Sequence, residues 1–331
     1  MLLEQLQYGA ESTAGTAVAA NKRILGKAKF AQDQQVTIPQ DDIGKNVPGY
    51  RAVTGGKLVT NTIEVERGYF QLLPLIFSLL LEGGITAVEQ TTDQDDYLWA
   101  FAQDLTATGN TPDTMTLEYG DLGVQGFEVE YVVFEKVKIS GTVPQDGGDA
   151  AIKISIDFFG RQNTKTTFTA AIAAPAVTEM SGFLAQLYID TSWAGVGGTE
   201  KTNLLRAFDI EIIGGFYPEF HGGTTLTFDA IGQGKPGILC TLTLDSGAAA
   251  VALHDAMGTM QVVKLLLSGP AIGTGDPHSL AIAFSGIVMD PKLFASAEKD
   301  TSLTTVQFEG IYDPTGGKMF TVDVTTNSAT I

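Results

Sequence analysis

The 331-residue sequence is poor in the residues that build most catalytic and metal sites. Cys240 is its one cysteine, so no disulfide can form within the chain and no cysteine-based zinc site can assemble from it alone. The three histidines, at positions 221, 254 and 278, fall in different predicted elements and lack the spacing of metal ligands. We therefore interpret each histidine as a surface or core residue, and we expect no metal, no cofactor and no enzymatic activity.

Two loops resemble ligand-binding motifs but lack decisive residues. Residues 93–96 are acidic, yet an EF-hand calcium loop starting there would need glycine in place of Leu98 and glutamate in place of Asp104. Residues 316–318 lack both the first glycine of a phosphate-binding loop and the Ser or Thr that follows its lysine. No G-x-S-x-G elbow occurs either. We predict a solvated acidic loop in the first case and a hairpin turn in the second.

Positive charge and long apolar runs are also scarce. Twenty basic against 38 acidic side chains give a net charge of −18, whereas tight nucleic-acid binding normally uses a basic surface. The start carries Glu4 and no basic segment typical of a secretory signal. The most apolar window, residues 72–81, is shorter than the ~20 residues that span a bilayer. We expect a soluble chain that is cytosolic when synthesised.

Alternation of apolar and polar residues is abundant, and it predicts a mainly β fold. Isoleucine and phenylalanine alternate with Lys, Ser and Asp over residues 152–158, and similar patterns cover residues 127–131 and 136–139. The turn-rich residues 144–149 predict a hairpin between the strand over residues 136–139 and the strand over residues 152–158. The break in alternation at residues 132–133 predicts a bulge. The 38 glycines fit many strands joined by tight turns.

A strand, a glycine and a short helix follow one another in both halves of the chain. In the first half, the strand ends at Gly68 and an apolar segment over residues 69–82 predicts a helix, with Pro74 in its first turn. In the second half, the strand ends at Gly247 and residues 248–257 predict the second helix.

These units align at constant offsets, which indicates an internal duplication. Residues 62–68 match residues 241–247 at an offset of 179. The same offset pairs Lys22, Leu25, Lys27 and Ala28 with Lys201, Leu204, Arg206 and Ala207. Further along, an offset of 150 pairs Phe134, Val137, Ile139 and Gly160 with Phe284, Ile287, Met289 and Gly310. Chance similarity among strands is the alternative interpretation.

The change of offset places about 29 extra residues in the first copy, between roughly positions 85 and 125. We predict an N-terminal arm (1–20), a first module (21–163), a linker (164–176) and a second module (177–331). The linker is built of small residues and ends near a proline. We also expect residues 4–20 or 85–125, or both, to be arms that order only when rings stack, because they are polar and lack a period.

Several segments resemble tail tube proteins of long-tailed, non-contractile bacteriophages. They include residues 96–101, 114–121, 127–140 and 152–161, together with the opening residues 8–18. The resemblance covers most of the chain, although its motifs are loose. It implies two tandem modules, each a β-sandwich or half-barrel with a short flanking α-helix.

The resemblance also implies an assembly and a set of partners. Six modules would form a ring whose inner strands join in one β-barrel, so a chain with two modules would form a trimeric, pseudo-hexameric ring. Stacked rings would form the virion's tail tube, assembled in the host bacterial cytoplasm. The implied partners are other copies of the chain, a tape-measure protein, a tail terminator and double-stranded DNA in transit.

An acidic lumen would repel DNA phosphates and let the genome pass without sticking. The candidate lumen-lining carboxylates, all on polar strand faces, are Glu64, Glu66, Glu128, Glu130, Asp157, Glu211, Asp245 and Glu309. An outer, solvated strand face is the alternative for each of them.

Three other functions compete with this one. The chain could be another virion structural protein, such as a tail terminator or a capsid-decorating protein. It could be a carbohydrate-binding β-sandwich that uses exposed aromatic residues such as Trp99, Trp193 or Tyr217, although large aromatics in β proteins are more often part of the core. A hydrolase would need a convergent site, and no motif indicates one.

Overall fold

A computed structural model describes residues 4–29, 31, 34–40, 44, 49, 51–103, 109–223, 225–298 and 301–331. The described residues form 22 strands and two short α-helices, which confirms the mainly β prediction. The first half contains β1 (Glu4–Ala10), β2 (Lys22–Arg23), β3 (Lys27–Ala28), β4 (Gln34–Thr37), β5 (Val53–Lys57), β6 (Val59–Val65), α1 (Leu73–Leu80), β7 (Val88–Glu89), β8 (Tyr97–Ala102), β9 (Met115–Asp121), β10 (Gln125–Thr142), β11 (Lys153–Gly160) and β12 (Asn163–Thr166). The second half contains β13 (Ala185–Asp190), β14 (Leu205–Ile213), β15 (Phe216–Glu219), β16 (Ala230–Gln233), β17 (Gly237–Asp245), α2 (Ala248–Asp255), β18 (Met260–Ala271), β19 (Pro277–Val288), β20 (Lys292–Glu298), β21 (Thr301–Gly310) and β22 (Phe320–Thr326).

One antiparallel sheet runs through both halves of the chain. Its strand order is β3–β6–β11–β10–β14–β17–β21, and β21 then pairs with both β19 and β20. The two halves meet where β10 pairs with β14, from Lys136 opposite Ile213 to Thr142 opposite Ala207. We call this sheet the central sheet. Main-chain hydrogen bonds therefore join the halves edge to edge.

Each half packs a second sheet against the central one. In the first half the order is β2–β1–β9–β10–β12, and in the second it is β13–β18–β19–β22–β8–β7. The long strands β10 and β19 belong to both sheets of their half. In the described part of the chain the pairings branch but never return to their starting strand, so they form no closed barrel.

The predicted bulge lies where β10 passes from one sheet to the other. The register of β10 against β9 shifts between Val129 and Val132, and Tyr131 adopts a positive φ of 56°. An extra residue of this kind bends a strand and strengthens its twist. The bulge thus lets one strand serve two sheets. The hairpin predicted beyond it is confirmed, because Val137 lies opposite Ile156.

Strand pairing repeats between the two halves. Ile63 lies opposite Ile156 in the first half, and Leu242 lies opposite Val306 in the second, which agrees with both sequence offsets. Strand β1 pairs with β9 as β13 pairs with β18. Residues 4–10 therefore belong to the sheet of the first module, not to a free N-terminal arm.

The offset of 150 aligns β11 with β21, but it does not align β10 with β19. Phe134 lies opposite Phe158, whereas Phe284 lies opposite Phe320 and Val263 in the other sheet. The residue facing Phe308 is Val288, four positions further along. A shift by an even number of residues keeps the same side-chain face, so the apolar pattern could not detect it.

The extra segment of the first half belongs to the sheet of the second. Strand β8 pairs with β22 along its whole length, from Tyr97 opposite Thr326 to Ala102 opposite Thr321. Trp99 and Phe101 of β8 are buried. Since β1 and β8 are paired within one chain, the expectation that these segments order only in stacked rings does not hold for residues 4–10 and 97–102.

Both predicted helices are present. All eight residues of α1 are buried, with Pro74 in the first turn and Gly84 at a φ of 70° beyond its end. Helix α2 buries only Ala250 and Leu253. One core cluster contains buried residues of both halves, so the two modules share a hydrophobic core.

Candidate assembly surface

The outward side of the central sheet is a polar face that crosses both modules. Alternation places one side chain of each strand on the core and the next on this face. One buried row is Ile63, Ile156, Val137, Ile212 and Ile238. The neighbouring row on the polar face is Glu64, Ser155, Lys138, Glu211, Leu239 and Glu309.

Six of the eight predicted carboxylates lie on this polar face, five on its strands and Glu66 just beyond the end of β6. They are Glu64, Glu66, Asp157, Glu211, Asp245 and Glu309. The other two, Glu128 and Glu130, lie in the part of β10 that belongs to the outer sheet of the first half. Sequence alternation thus identified most of one face, but it could not separate the two sheets of a shared strand.

Lysines at the module junction neutralise part of the acidic face. Lys136 Nζ lies 3.2 Å from Asp157 and 3.7 Å from Glu211, and Lys138 Nζ lies 2.7 Å from Asp209. Partial burial opposes the charge of Lys136, but its hydrogen bond to Asp157 and the two carboxylates outweigh burial and raise its pKa. The polar face is therefore of mixed charge, with lysines beside three of its carboxylates.

The remaining face carboxylates differ in their partners. Arg206 holds Asp245 through two hydrogen bonds, and Lys27 lies 2.7 Å from Glu66. Glu64 accepts a hydrogen bond of 2.8 Å from the Ser155 hydroxyl. Within the described residues, Glu309 makes no ion pair or side-chain hydrogen bond. Glu309 is thus a carboxylate of this row that has neither kind of partner among the described residues.

The two carboxylates outside the face sit in a crowded acidic environment. Glu128 lies opposite the buried Glu118, and burial followed by repulsion from Glu118 raises the pKa of Glu128. Burial also raises the pKa of Glu130, against the attraction of Arg161 at 3.9 Å. Glu118 itself accepts hydrogen bonds from Gln7 and Thr169, so this carboxylate connects β9 to β1 and to the predicted linker.

The sequence analysis did not select the basic residues of the polar face. Lys136, Lys138 and Arg206 stand on the same strand faces as the carboxylates that were selected. The alternation of Lys136 and Lys138 with apolar residues was itself a signal. Pairing them with Asp209 and Glu211 required knowing that β10 neighbours β14, which connects residues about 70 positions apart.

Among the described residues, the strands at both ends of the central sheet have one edge without a strand partner. At one end lie β3 and β6, where β3 contributes only two pairs, Lys27 opposite Glu64 and Ala28 opposite Ile63. At the other end lies β20, whose residues are almost all exposed. Phe294 of β20 is 66% exposed and has a φ of 54°, which is strained for a non-glycine residue. Such edges are templates for pairing with another chain.

Two hairpins extend from equivalent places in the two modules. The β4–β5 and β15–β16 hairpins each connect the strand before them to the next strand of the central sheet. They meet where the Lys57 amide donates to the Leu226 carbonyl at 2.7 Å. Both carry exposed apolar side chains: Val36, Ile38, Val53, Tyr217, Phe220 and Leu226.

The two motif-like loops have structural explanations. Asp96 accepts hydrogen bonds from the backbone amides of Thr91 and Asp276, which lower its pKa although burial opposes them. Its loop is thereby fixed to a loop of the second module. At residues 313–318, the Asp313 amide donates to the Lys318 carbonyl and closes a tight turn. The described residues contain no group of three His, Cys, Asp or Glu residues that could hold a metal ion.

The aromatic residues considered for carbohydrate binding do not form one platform. Trp99 is buried and donates a hydrogen bond to the Ser328 carbonyl at 2.9 Å. Trp193 lies under the ammonium group of Lys318, 5.2 Å from the ring centroid. Tyr217 is exposed on the separate β15–β16 hairpin.

No protein-family model matches the chain, and no curated protein matches it either. Neither helix formed by the described residues is long and apolar enough to cross a membrane.

Proposed function

We propose that this chain is a structural subunit that forms rings, and that the rings stack into the tail tube of a long-tailed bacteriophage. The observation that carries this proposal is the β10–β14 junction, where two similar modules join side by side in one continuous sheet. A junction that works between modules of one chain supplies a geometry for joining modules of different chains.

The duplication indicates which edges would meet between chains. β14 is the second-module counterpart of β3, since Arg206 and Ala207 correspond to Lys27 and Ala28. Strand β20 pairs with β21 in the second module, and residues 136–140 of β10 pair with β11 in the first. We therefore treat β20 as the counterpart of this part of β10. Repeating the internal junction therefore pairs β20 of one chain with β3 of the next. Within the described part of the chain, both of these strands have one edge without a strand partner.

Ring closure gives each open edge a partner and removes the exposed backbone groups. By the tail-tube resemblance, three chains would supply the six modules of one ring. The polar face of the central sheet would line the lumen, with Glu309 as a carboxylate that makes no ion pair among the described residues. Mixed charge with a small acidic excess would let DNA pass with little adhesion. A tape-measure protein and a tail terminator would set the length of the tube.

Negative-stain electron microscopy of the purified protein tests this function, with analytical ultracentrifugation giving the subunit number. We expect hollow tubes or stacked rings of three chains at high protein concentration. A monomer at every concentration would contradict the proposal. Isolated rings that never stack would instead support a tail terminator.

A further inference from the structure

A cavity of about 530 Å³ lies where the first module, the linker and the last residues of the chain meet. Lys22 and Arg23 of β2 line one side of it, and linker residues 171–176 line another. Although the chain has 38 acidic residues, no aspartate or glutamate is among the described residues that line this cavity. The charged side chains that line it, Lys22 and Arg23, are therefore both basic, although the protein is strongly acidic.

Arg23 is unusual among the five arginines of the chain. Arg67, Arg161 and Arg206 each pair with carboxylates, and Arg51 also has a partner. Within the described residues, the Arg23 side chain makes no hydrogen bond or ion pair, and its Nε is buried without a partner. A buried guanidinium donor without an acceptor is costly, and a bound anion would satisfy it.

Neighbouring groups add further donors. Among the residues that the structure describes, Lys22 Nζ donates only to the Thr330 carbonyl, at 3.1 Å, and burial lowers the pKa of Lys22. The Tyr69 hydroxyl accepts a hydrogen bond from the Leu25 amide, which leaves its proton free to donate. Burial raises the pKa of Tyr69 to about 12 and also raises that of Tyr8, so both phenols stay protonated. The polar wall is thus rich in donors.

The opposite wall is apolar. Leu72 and Leu75, at the start of the first helix, face the cavity together with linker alanines and Ile172. An apolar wall with a few convergent donors is the usual composition of a small-molecule site. Inorganic anions alone would leave this wall uncovered.

We infer that this cavity binds a small organic anion, with its carboxylate or phosphate group on Arg23 and Lys22 and its apolar body against Leu72 and Leu75. Arginine and lysine form charge-assisted hydrogen bonds with either group. The inference does not depend on whether the chain forms tubes. Its ligand would connect β2, the linker and residues 327–331.

Titration calorimetry and amide NMR with three probes of one shape test the inference: phenylphosphate, benzoate and neutral benzamide. We expect at least one anionic probe to bind at least tenfold more tightly than benzamide, because only the anions form charge-assisted hydrogen bonds. Tighter binding of phenylphosphate identifies a phosphate ligand, and tighter binding of benzoate identifies a carboxylate ligand. Equal affinity for benzamide, or no binding of either anion at millimolar concentration, would overturn the inference.

The duplication provides a matched control variant. Lys201 corresponds to Lys22 at the offset of 179 but does not line the cavity. Arg23→Gln and Lys22→Gln should each weaken binding of the anionic probe about tenfold, whereas Lys201→Gln should change it less than twofold. Equal losses in Lys22→Gln and Lys201→Gln would show a general charge effect and refute the site. If Arg23→Gln does not fold, Arg23→Lys and competition by inorganic phosphate on the native protein provide the same test.

Discussion

The guanidinium of Arg206 donates two hydrogen bonds to the carboxylate of Asp245, from Nε to Oδ1 at 2.5 Å and from Nη2 to Oδ2 at 2.7 Å. At the offset of 179, the same two positions in the first module are Lys27 and Glu66, which form an ion pair of 2.7 Å. The duplication thus preserves an interaction between strands as well as a pattern of residues. The two copies differ in strength, because an arginine fork is bidentate and a lysine is a point charge.

This pair of ion pairs predicts unequal coupling in two double-mutant cycles. For Arg206→Ala and Asp245→Ala, we expect a coupling free energy of about 1 kcal/mol, since the pair is bidentate and only partly exposed. For Lys27→Ala and Glu66→Ala, the coupling should be smaller, because both side chains are exposed and screened by solvent. Urea unfolding of the monomer measures both cycles. Equal coupling free energies in the two cycles would show that the second hydrogen bond of the guanidinium does not strengthen the ion pair.

The sequence pattern predicted the mainly β fold and both helices, because these depend on local periodicity. Its failures concern partners that are distant along the chain. Nothing near Trp99 indicates that β8 leaves its own module to pair with β22. Likewise, the polar character of Glu128 and Glu211 is similar, yet only Glu211 lies on the central sheet. Strand neighbours decide such questions, and alternation alone does not specify neighbours.

The pairing of β8 with β22 predicts that Phe101 stabilises both modules. Phe101 is buried and packs against Phe77 of α1, with ring centroids 5.8 Å apart. Phe101→Ala should lower the free energy of unfolding by about 3–5 kcal/mol, through lost burial and the cavity left behind. Ala100→Ser on the same strand is the control, because Ala100 is exposed. A loss below about 1 kcal/mol would contradict the docking of β8.

Phe294 offers a variant in which stability and assembly should change in opposite directions. Its positive φ is strained and its ring is exposed, so Phe294→Gly should stabilise the monomer by about 0.5 kcal/mol. If β20 is the edge that pairs with the next chain, the same change should reduce tube formation, because it removes the ring and loosens the edge. Sedimentation of assembled protein and urea unfolding measure the two effects.

Asn203→Gly is the control for Phe294→Gly. Asn203 also has a positive φ, of 56°, but lies in the loop before β14. It should leave assembly unchanged. Normal tubes from Phe294→Gly would exclude this ring as a contact between chains.

Charge reversal tests the assignment of the polar face to the lumen. Glu309→Lys places a positive charge in the row of Glu64, Glu211 and Glu309, at a position that forms no ion pair among the described residues. Assembled tubes of this variant should retain double-stranded DNA at low salt and release it as salt rises. Glu128→Lys makes the same charge change on the outer sheet and should not trap DNA in the lumen. DNA retention that is equal for both variants would contradict the assignment.

His278 predicts a loss of stability in mild acid. It is buried, stacks on Phe70 at 5.5 Å and lies 3.4 Å from the Thr178 hydroxyl, and burial lowers its pKa. Below the unfolded pKa of about 6.5, the unfolded chain binds a proton that the native chain excludes. Stability should therefore fall as the pH drops below about 6.5, with a slope of at most about 1.4 kcal/mol per pH unit from this group.

His278→Gln removes this contribution, so its stability should depend less on pH between about 7.5 and 5 than that of the native protein. His254→Gln is the control, because His254 is exposed on α2. Urea unfolding at several pH values gives the comparison. Parallel pH profiles for the native protein and His278→Gln would show that protonation of His278 does not lower the free energy of unfolding.

The docking of β8 on β22 also has a consequence during synthesis. More than 200 residues separate the two strands, so the ribosome must add them before β8 can find its partner. At about 5–20 residues per second, this delay is on the order of ten seconds or longer. During that time the first module lacks its full complement of packed strands, and its fold can be completed only after translation has reached residue 326. A nascent chain would thus enter any assembly late, as a finished pair of modules.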